Sequence, residues 1–325
     1  MEKRTIGSLD VTVLGIGCTS FGRNLDQAAT RKVVDAALDA GINFFDTADK
    51  YGNPYNTSEL FLGECLKRSR ASVILATKFG RKLDDSHFGA SPSYVRSATE
   101  ASLRRLQTDH IDLMQLHIPD PTVPIEDTLG ALADLIKEGK IREIGGSNFS
   151  AIQLREMSRV ASKGRLTAFA STQAELSLLH RAPTAEVLAE CEAAGIKLLP
   201  YRPLFNGLLT GKYGIGKSIP QTSQIARKNS ETQAAILSDL NLSAISKLTH
   251  YAQEYGRSLL DLAMAWVLAH DVVPSVIAGV SSEKQVASNV KAIDWHLTPN
   301  QKMEVDQLLD QIEQAAKNKN LEKSS

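Results

Sequence analysis

Short apolar runs rich in β-forming residues alternate with longer segments of helical periodicity along the whole chain. Segments such as AATRKVVDAALDAG and IEDTLGALADLIKEGK place apolar residues at helical spacing, which predicts amphipathic helices. Eight strand–helix repeats predict an α/β fold, a closed (β/α)8 TIM barrel of parallel strands rather than an open, doubly wound sheet. The runs that we predict as its strands are VTVLGIGCT (11–19), INFFDTA (42–48), SVILATK (72–78), IDLMQLH (111–117), IREIGGSN (141–148), LTAFASTQ (166–173), IKLLPYRP (196–203) and VPSVIAGV (273–280).

The N-terminus and two connections add detail to this architecture. The opening RTIGSLDVTVLG predicts a small β-hairpin that plugs the amino-terminal end of the barrel. We expect one domain over residues 1–325, with a frayed polar tail over about 316–325. From Leu204 to about Leu242 no sustained period is present, so we expect a long loop there, and a shorter loop over Phe79–Ser91. Both loops would leave the carboxyl-terminal ends of strands, where barrels keep their active sites.

Composition and charge narrow the classes of function. The 325 residues include 37 Lys plus Arg and 37 Asp plus Glu, and this zero formal charge predicts neither nucleic-acid nor membrane binding. Three widely spaced cysteines predict no disulfide framework and no metal site. The opening MEKRTIGSLD lacks the apolar core of a signal peptide, and the most apolar window, Leu259–His270, is too short to span a bilayer. We therefore expect a cytoplasmic protein, and its oligomeric state stays open.

Four polar residues fall where the second, third and fourth predicted strands end. Asp46 and Tyr51 lie in NFFDTADKYG, Lys78 closes SVILATK and His117 closes IDLMQLH. Because consecutive strands are neighbours in a barrel, these side chains would meet on one rim. A buried Lys78 cation would be held by the Asp46 carboxylate and would lower the pKa of Tyr51, making it a general acid/base toward a carbonyl oxygen.

The same set of residues limits the reaction type. The His117 imidazole can hydrogen-bond the carbonyl oxygen, and no Ser or Cys nucleophile with a base is part of the set. None of these side chains can deliver hydride, so we expect a nicotinamide cofactor to supply it. Alone, Asp46 would be a loop cap, Tyr51 a half-buried aromatic residue and His117 a core histidine, but the complete set favours catalysis.

Five motifs carry a family resemblance. In chain order, FDTADKYG, ATKFG, SLRRLQTDHIDLMQLH, GKIREIGGSN and PLFNGLLTGKY resemble the aldo-keto reductase superfamily over nearly the whole length. The resemblance implies a (β/α)8 barrel that acts as a nicotinamide-dependent carbonyl reductase or alcohol dehydrogenase. It also implies that Asp46, Tyr51, Lys78 and His117 are the catalytic residues, with Tyr51 as the general acid/base.

The resemblance further implies which residues contact the cofactor. At the nicotinamide end, where Tyr201 would stack on the ring, it implies Gly17, Thr19, Asp46, Ser147, Asn148, Gln173 and Tyr201. Around the pyrophosphate it implies Leu204, Gly207 and Lys212. At the adenosine end, where the eighth helix begins and its free N–H groups favour phosphate, it implies Gly279, Ser281, Gln285 and Asn289.

Two positions depart from the family pattern and bear on cofactor choice. Arg202 stands where relatives usually have Ser, and we assign its cation to the pyrophosphate or to a substrate anion. Ala278 replaces the usual Pro, and the Arg or Lys that many relatives place just after the following Gly is missing, with only Lys284 close by. We predict NADP(H), with NAD(H) possible, because the hydroxyls of Ser281 and Ser282 and the helix N-terminus can donate to a 2′-phosphate.

The main hypothesis is the reversible NADP(H)-dependent reduction of an aldehyde or ketone. Two alternatives stay open. One is an NAD-dependent dehydrogenase of sugars or other alcohols, and the other is a cofactor-binding regulatory or redox-sensing subunit, like the beta subunits of voltage-gated potassium channels. Candidate substrate-pocket residues, from the loops that follow the strands, are Phe21, Tyr55, Phe79, Phe88, Ile118 and Phe205.

One motif points elsewhere and is rejected. GKYGIGKS (211–218) matches the G-x-x-x-x-G-K-[ST] pattern of a phosphate-binding loop. Such a loop follows a buried strand and opens a helix, whereas GLLT before it is a poor strand and no helical period follows for some twenty residues. We therefore do not predict a nucleoside triphosphatase.

Overall fold

A computed structural model describes the backbone of residues 1–181, 184–214, 216, 218–221 and 223–324, with side chains to residue 315. Contacts between residues form two compact units. The described residues within Met1–Glu175, Pro183–Tyr201 and Val272–Val290 form the first unit, and those within Leu176–Ala182, Arg202–Asp271 and Lys291–Ser325 form the second. The single-domain interpretation of residues 1–325 stays a prediction.

The first unit contains all ten described strands. In chain order they are β1 (Lys3–Ile6), β2 (Leu9–Thr12), β3 (Leu14–Gly17), β4 (Phe44–Asp46), β5 (Ile74–Phe79), β6 (Ile111–Leu116), β7 (Ile141–Ser147), β8 (Ser171–Glu175), β9 (Lys197–Tyr201) and β10 (Val276–Gly279). Eight of them, ordered β10-β3-β4-β5-β6-β7-β8-β9 and all parallel, form a nearly closed barrel. The predicted (β/α)8 barrel is therefore confirmed, and each predicted run overlaps one barrel strand.

Helices connect successive barrel strands in the chain and also follow β10, and several of them begin at cap residues that can be read from the sequence. In chain order they are α1 (Gln27–Asp39), α2 (Thr57–Leu66), α3 (Pro92–Leu106), α4 (Ile125–Lys137), α5 (Ala151–Gly164), α6 (Ala185–Ala194), α7 (Ser230–Ile236), α8 (Asp239–Glu254), α9 (Leu259–Leu268), α10 (Glu283–Ala292) and α11 (Pro299–Ser324). Ser91 accepts a hydrogen bond from the Tyr94 N–H before Pro92, and Ser150 forms a capping box with Gln153. No described helix combines the length and apolar character that a membrane span requires.

The N-terminal hairpin packs against the barrel strands. β1 and β2 pair antiparallel through a turn at Gly7, whose φ of +55° suits glycine. Ile6, Leu9 and Val11 have no exposed surface, and they join one hydrophobic cluster with residues of the barrel strands, namely Phe44, Ala76, Leu113, Leu199 and Ile277. The hairpin thus plugs the barrel as predicted. Gly7 also lies against Glu143, whose carboxylate accepts the N–H of Ser8 at 2.7 Å.

The second unit corrects one prediction. The segment from Leu204 to Leu242 was expected to be a loop, but it contains a 3₁₀ turn over Phe205–Thr210, the helix α7 and the start of α8. Asn229 caps α7 and Ser238 caps α8, so both helices begin at ordinary cap residues. Trp266 and Trp295 are buried. Trp266 Nε1 donates to Asp306 Oδ1 at 2.8 Å, which joins α9 to α11.

Two smaller predictions concern segments that include some residues outside the described ones. GKYGIGKS includes Ile215 and Lys217, which lie outside the described residues. The described part follows a 3₁₀ turn, not a strand, and the next described helix begins at Ser230, which agrees with rejecting a phosphate-binding loop. The tail predicted to fray lies within α11 up to Ser324, and Ser325 is outside the described residues.

Candidate active site

Three strand ends bring the four predicted polar residues together. Asp46 is the last residue of β4, Lys78 is the penultimate residue of β5 and His117 directly follows β6. The His117 N–H donates to the Phe79 carbonyl at 2.8 Å, which continues the β5–β6 ladder. Tyr51 follows β4 in a turn that its N–H closes on the Ala48 carbonyl.

The Lys78 ammonium is held at the centre of this set. Its Nζ donates to Asp46 Oδ2 at 2.5 Å and to the Thr47 carbonyl at 2.9 Å, and it lies 3.5 Å from the Tyr51 hydroxyl. These three partners use all three donors of an ammonium group. Burial is the largest single influence and lowers the pKa of Lys78, but the charge of Asp46, the Tyr51 hydroxyl and the hydrogen bonds to both together raise it by more, so the net pKa is raised. Lys78 is therefore a fixed cation beside the Tyr51 hydroxyl.

Two glutamines complete the coordination of the buried Asp46 carboxylate. Its Oδ1 accepts hydrogen bonds from Gln115 Nε2 at 3.1 Å and from Gln173 Nε2 at 2.7 Å. Gln173 was predicted to be a cofactor residue, whereas Gln115 was missed. The signal for Gln115 is its position, two residues before His117 in a run that is otherwise mostly apolar. A polar residue buried in a barrel strand needs a partner, and here that partner is Asp46.

The net pKa of the Tyr51 hydroxyl is raised, not lowered. Burial raises the pKa of its hydroxyl, the Lys78 cation lowers it and the Asp46 carboxylate raises it again. Lys78 thus lowers the pKa as expected, but burial outweighs it and the net pKa lies above the ordinary value of 10. The physical reason is that loss of water around a buried phenolate outweighs one ion–ion attraction. The hydroxyl therefore keeps its proton at neutral pH and is available as a donor.

His117 is a neutral imidazole. Burial lowers its pKa most, and the Lys78, Arg81 and Lys50 cations lower it further, to about 2. Its ring packs edge-on to the Tyr51 ring, with centroids 5.9 Å apart. Its Nδ1 is buried without a hydrogen-bond partner in the described part of the chain. At physiological pH the neutral imidazole can thus orient an oxygen by a hydrogen bond, but it is not an imidazolium ion that could act as the general acid.

The residues predicted to hold the nicotinamide carboxamide form a hydrogen-bonded group next to His117. Ser147 and Gln173 are register partners on β7 and β8. Asn148 Nδ2 donates to the His117 carbonyl at 2.9 Å and to Ser147 Oγ at 3.0 Å, and Tyr201 donates from its hydroxyl to Asn148 Oδ1 at 2.8 Å. Amides and hydroxyls can both donate and accept, which is the chemistry that a carboxamide requires. The donor set therefore fits a nicotinamide.

Glycines line the strand ends where the predicted nicotinamide and adenosine sites begin. Gly17 pairs in register with both Asp46 and Gly279, and Gly279 is exposed with nothing within 4 Å of the position of a Cβ atom. Thr19 follows β3 in a 3₁₀ turn and is exposed. Gly279 and Thr19 leave room for a ligand to approach the backbone, whereas Gly17 is buried, with Ile277 Cγ2 3.2 Å from the position of a Cβ atom.

At the N-terminus of α10, residues predicted to bind the adenosine end of the cofactor are hydrogen-bonded to their neighbours. Ser281 donates to Gln285 Oε1 from its N–H at 2.7 Å and from its hydroxyl at 3.2 Å. Ser282 Oγ accepts the N–H of Gln285 at 3.3 Å. Asn289, one turn further along α10, is buried. A phosphate that used the Ser281 donors would have to replace the Gln285 amide oxygen.

The residues predicted to hold the pyrophosphate belong to the second unit, in the segment from Arg202 to Lys212. Arg202 and Gly207 have positive φ values of 52° and 89°. The Gly207 N–H donates to the Leu204 carbonyl at 2.8 Å, and Lys212 Nζ lies 3.8 Å from the position of a Cβ atom on Gly207. Left-handed residues beside right-handed ones turn successive N–H groups toward one side, which suits an anion such as a pyrophosphate.

The substrate-pocket candidates separate into two classes. Tyr55 and Phe88 are exposed and Ile118 is half-buried, so these three are accessible on the first unit. Phe21 and Phe79 have no exposed surface and are core residues, so their assignment to a pocket is wrong. Phe205, in the second unit, is half-buried. Within the described chain, no cluster of three or more His, Cys, Asp or Glu residues is placed to hold a metal ion.

Comparison with known proteins agrees with this geometry. Residues 13–310 match the model of the aldo/keto reductase family. A protein of Oryza sativa subsp. japonica, named as a probable voltage-gated potassium channel subunit beta, is 34% identical and covers 90% of this chain and 92% of its own. L-glyceraldehyde 3-phosphate reductase of Escherichia coli is 30% identical over 85% of this chain and 82% of its own. The holo form of aldo-keto reductase AKR11C1 from Bacillus halodurans superposes with a TM-score of 0.77 at 32% identity, over 95% of this chain and 96% of its own.

Proposed function

Because the chain belongs to the aldo/keto reductase family, we propose that it catalyses the reversible NADP(H)-dependent reduction of an aldehyde or ketone to an alcohol. The observation that carries this proposal is the Tyr51 hydroxyl, which is protonated at neutral pH and 3.5 Å from a fixed Lys78 cation. When bound, the nicotinamide supplies the hydride. Tyr51 supplies the proton to the carbonyl oxygen as general acid and takes it back in the reverse direction.

The other residues support that proton transfer. The Lys78 cation stabilises the phenolate that Tyr51 becomes when it has given up its proton, which offsets the cost of burying that charge. Asp46 keeps Lys78 charged and oriented, and Gln115 and Gln173 keep Asp46 in place. Neutral His117 orients the carbonyl oxygen by a hydrogen bond. This division of roles makes Tyr51 the acid.

The remaining residues of the site would bind the cofactor. We assign the carboxamide to Ser147, Asn148 and Gln173 and the nicotinamide ring to Tyr201. We assign the pyrophosphate to Leu204, Gly207 and Lys212, together with Arg202. The adenosine end is assigned to Gly279, Ser281, Gln285 and Asn289. An aldehyde substrate is supported by the Escherichia coli relative, whose name describes the reduction of an aldehyde.

The test is the substitution Tyr51→Phe, which removes only the transferable proton. We expect kcat for aldehyde reduction to fall by about 10²–10⁴-fold, while the dissociation constant for NADPH stays within about twofold because the cofactor residues are untouched. The matched control is Tyr255→Phe, which removes the hydroxyl of an exposed tyrosine that is not part of the candidate site and should leave kcat unchanged. A Tyr51→Phe enzyme that kept more than a tenth of wild-type kcat would show that Tyr51 is not the acid.

A second function is favoured by the potassium channel beta-subunit names among the relatives. In that case the chain would bind the cofactor and serve mainly as a regulatory or redox-sensing subunit. Steady-state turnover on a panel of sugars, small aldehydes and bulky ketones separates the two functions. Sustained multiple turnovers support the enzyme, whereas cofactor binding with at most a single slow turnover on every carbonyl supports the subunit.

A further inference from the structure

Two cations flank the candidate acid and the imidazole on the carboxyl-terminal side of the barrel strands. Lys50 precedes Tyr51 and follows Asp49, whose N–H donates to the Lys78 carbonyl at 3.1 Å. Arg81 lies two residues beyond Phe79, whose carbonyl accepts the His117 N–H at 2.8 Å. Lys50 therefore follows a residue whose backbone is hydrogen-bonded to Lys78, and Arg81 lies two residues after one whose backbone is hydrogen-bonded to His117.

Neither cation is neutralised by a neighbour in the described chain. Lys50 Nζ donates to the Lys82 carbonyl and lies 3.8 Å from the centroid of the Tyr55 ring, and neither partner carries a charge. Arg81 is exposed and forms no ion pair with a described residue. Lys82, the residue after Arg81, differs because it pairs with Asp85 at 2.6 Å.

The carboxyl group that precedes Lys50 in the chain, that of Asp49, does not cancel the charge of Lys50. Asp49 is buried, and neither of its carboxyl oxygens has a hydrogen-bond partner in the described chain. Burial and the Glu59 carboxylate raise its pKa to about 8, so Asp49 is mostly neutral at pH 7. The three charged groups that shift the pKa of His117 are all cations, Lys78, Arg81 and Lys50. The surroundings of His117 are therefore positive although the net charge of the chain is zero.

The loop that carries Arg81 is held in place at both ends. The Gly89 N–H donates to the Gly80 carbonyl at 3.0 Å, which closes the loop at its base. The next residue, Ala90, donates its N–H to Asp120 Oδ2 at 2.9 Å. Because Lys50 also bonds to the Lys82 carbonyl, the loop and Lys50 are joined to each other. A ligand would meet two cations whose backbones are already positioned, which lowers the entropy cost of binding.

We propose that Lys50 and Arg81 form a subsite for the phosphate group of a small phosphorylated aldehyde, whose carbonyl is reduced at Tyr51. This inference rests on the proposed function. A phosphate monoester carries a charge of about −1.5 to −2 at pH 7, which two unpaired cations match better than the single charge of a carboxylate. The guanidinium of Arg81 can bind two phosphate oxygens at once, and the Lys50 ammonium adds a point charge. The exposed rings of Tyr55 and Phe88 lie on the same pair of loops.

Selectivity between matched substrates tests the subsite. We expect kcat/KM for glyceraldehyde 3-phosphate to exceed that for glyceraldehyde and succinic semialdehyde by at least about tenfold at low salt, and the advantage to shrink as salt rises. Arg81→Gln and Lys50→Gln should each lower the ratio of phosphorylated to neutral substrate by about ten- to a hundredfold, the range of one charge-assisted hydrogen bond, mainly through KM. Lys82→Gln, which removes a cation already paired with Asp85, should leave the ratio unchanged.

Binding without turnover separates failure of the subsite from failure of the proposed function. Glycerol 3-phosphate and glycerol are titrated calorimetrically into the NADPH-bound wild-type and Arg81→Gln proteins. We expect glycerol 3-phosphate to bind at least about tenfold more weakly to the variant. If this is seen but no carbonyl is reduced, the subsite stands and the proposed function fails. If aldehydes are reduced with equal ratios in the wild-type and both variants, or if the carboxylated aldehyde is preferred, the phosphate subsite is wrong and the proposed function stands.

Discussion

At the scale of single residues, Asp49 is a buried acid whose two carboxyl oxygens have no hydrogen-bond partner among the described residues. Glu59, a carboxylate that acts on Asp49, accepts hydrogen bonds from Thr77 and Arg105 at 2.6 Å each, so the Arg105 cation is already paired with Glu59. Burial and then the charge of Glu59 raise the pKa of Asp49 to about 8, against an ordinary 3.8, while Arg105 and Lys50 oppose the shift. Sequence alone does not show this, because DTADKY gives no sign of which of its two acids lacks a partner.

The raised pKa of Asp49 predicts a pH-dependent stability. Between about pH 4 and pH 8 the folded protein keeps a proton that the unfolded chain releases, so the Asp49 contribution to stability is full below pH 4 and is lost as pH rises toward 8. In Asp49→Asn this loss is absent. We expect the free energy of unfolding of the variant, relative to wild type, to increase by up to about 1.4 kcal/mol per pH unit in this window and to level off above it.

Urea unfolding of both proteins at several pH values between 4.5 and about 9 measures this difference. The slope is the readout, because an asparagine in the same buried position adds a constant offset of its own. Asp84→Asn is a suitable control, since Asp84 is exposed and its pKa is lowered by hydrogen bonds from Ser86 and His87. A constant difference between wild type and Asp49→Asn over the whole range would mean that Asp49 is ionised in the folded protein.

At the scale of elements, the N-terminal hairpin and the catalytic strand ends have separate tasks. The hairpin buries Ile6, Leu9 and Val11 against the barrel strands, whereas Tyr51, Lys78 and His117 come from the turns and strand ends. Ile6→Ala should therefore lower the free energy of unfolding by about 2–5 kcal/mol by leaving a cavity. It should leave kcat and KM for an aldehyde nearly unchanged at a temperature where the protein is folded.

Denaturant unfolding and steady-state kinetics on the same preparation check the hairpin prediction. Thr5→Ala, at the neighbouring exposed position of β1, is the matched control and should change stability by less than about 0.5 kcal/mol. If Ile6→Ala lowered kcat in proportion to the lost stability, the hairpin would be coupled to the site and not only to the core.

Strands and helices differed in how readily they could be predicted. The barrel strands are apolar on both faces, so their sequences mark them clearly, and the strand ends then locate Asp46, Lys78 and His117. α7 and the first turn of α8 were missed because their Ser-, Gln- and Asn-rich sequences lack a strong apolar period. Their caps, Asn229 and Ser238, are readable, but a cap without a periodic apolar face does not identify a helix. Gln115 and Asp49 were missed because their roles depend on contacts between distant segments.

At the scale of the whole molecule, the zero net charge means that local groups, and not the total charge, must attract the anionic cofactor. With 37 basic and 37 acidic residues the chain has no overall field to attract an anionic cofactor, so discrimination between NADPH and NADH must come from groups near the 2′-phosphate. The proposed adenosine site offers the α10 N-terminus, the exposed Lys284 and the hydroxyl of Ser282. Against these stand Glu283 in the first turn and the engagement of the Ser281 donors by Gln285.

This balance predicts a modest preference for NADPH. A helix N-terminus contributes about 0.3–1 kcal/mol to an anion in an exposed setting, and each tenfold of discrimination requires about 1.4 kcal/mol. We expect NADPH to bind about ten- to a hundredfold more tightly than NADH at low salt, with Lys284 providing most of the remainder. Because Lys284 and the helix end are exposed, the preference should shrink as ionic strength rises.

Dissociation constants for both cofactors, measured by quenching of protein fluorescence at low and high salt, decide the assignment. Lys284→Gln should weaken NADPH binding by about tenfold and leave NADH binding unchanged, because only NADPH carries the 2′-phosphate. Lys291→Gln is the control, since Lys291 lies in the last turn of the same helix, away from its N-terminus, and should affect neither cofactor. Tighter binding of NADH than of NADPH at both salts would contradict the NADP(H) assignment and favour an NAD-dependent dehydrogenase, because the 2′-phosphate would then cost more in desolvation than these groups return.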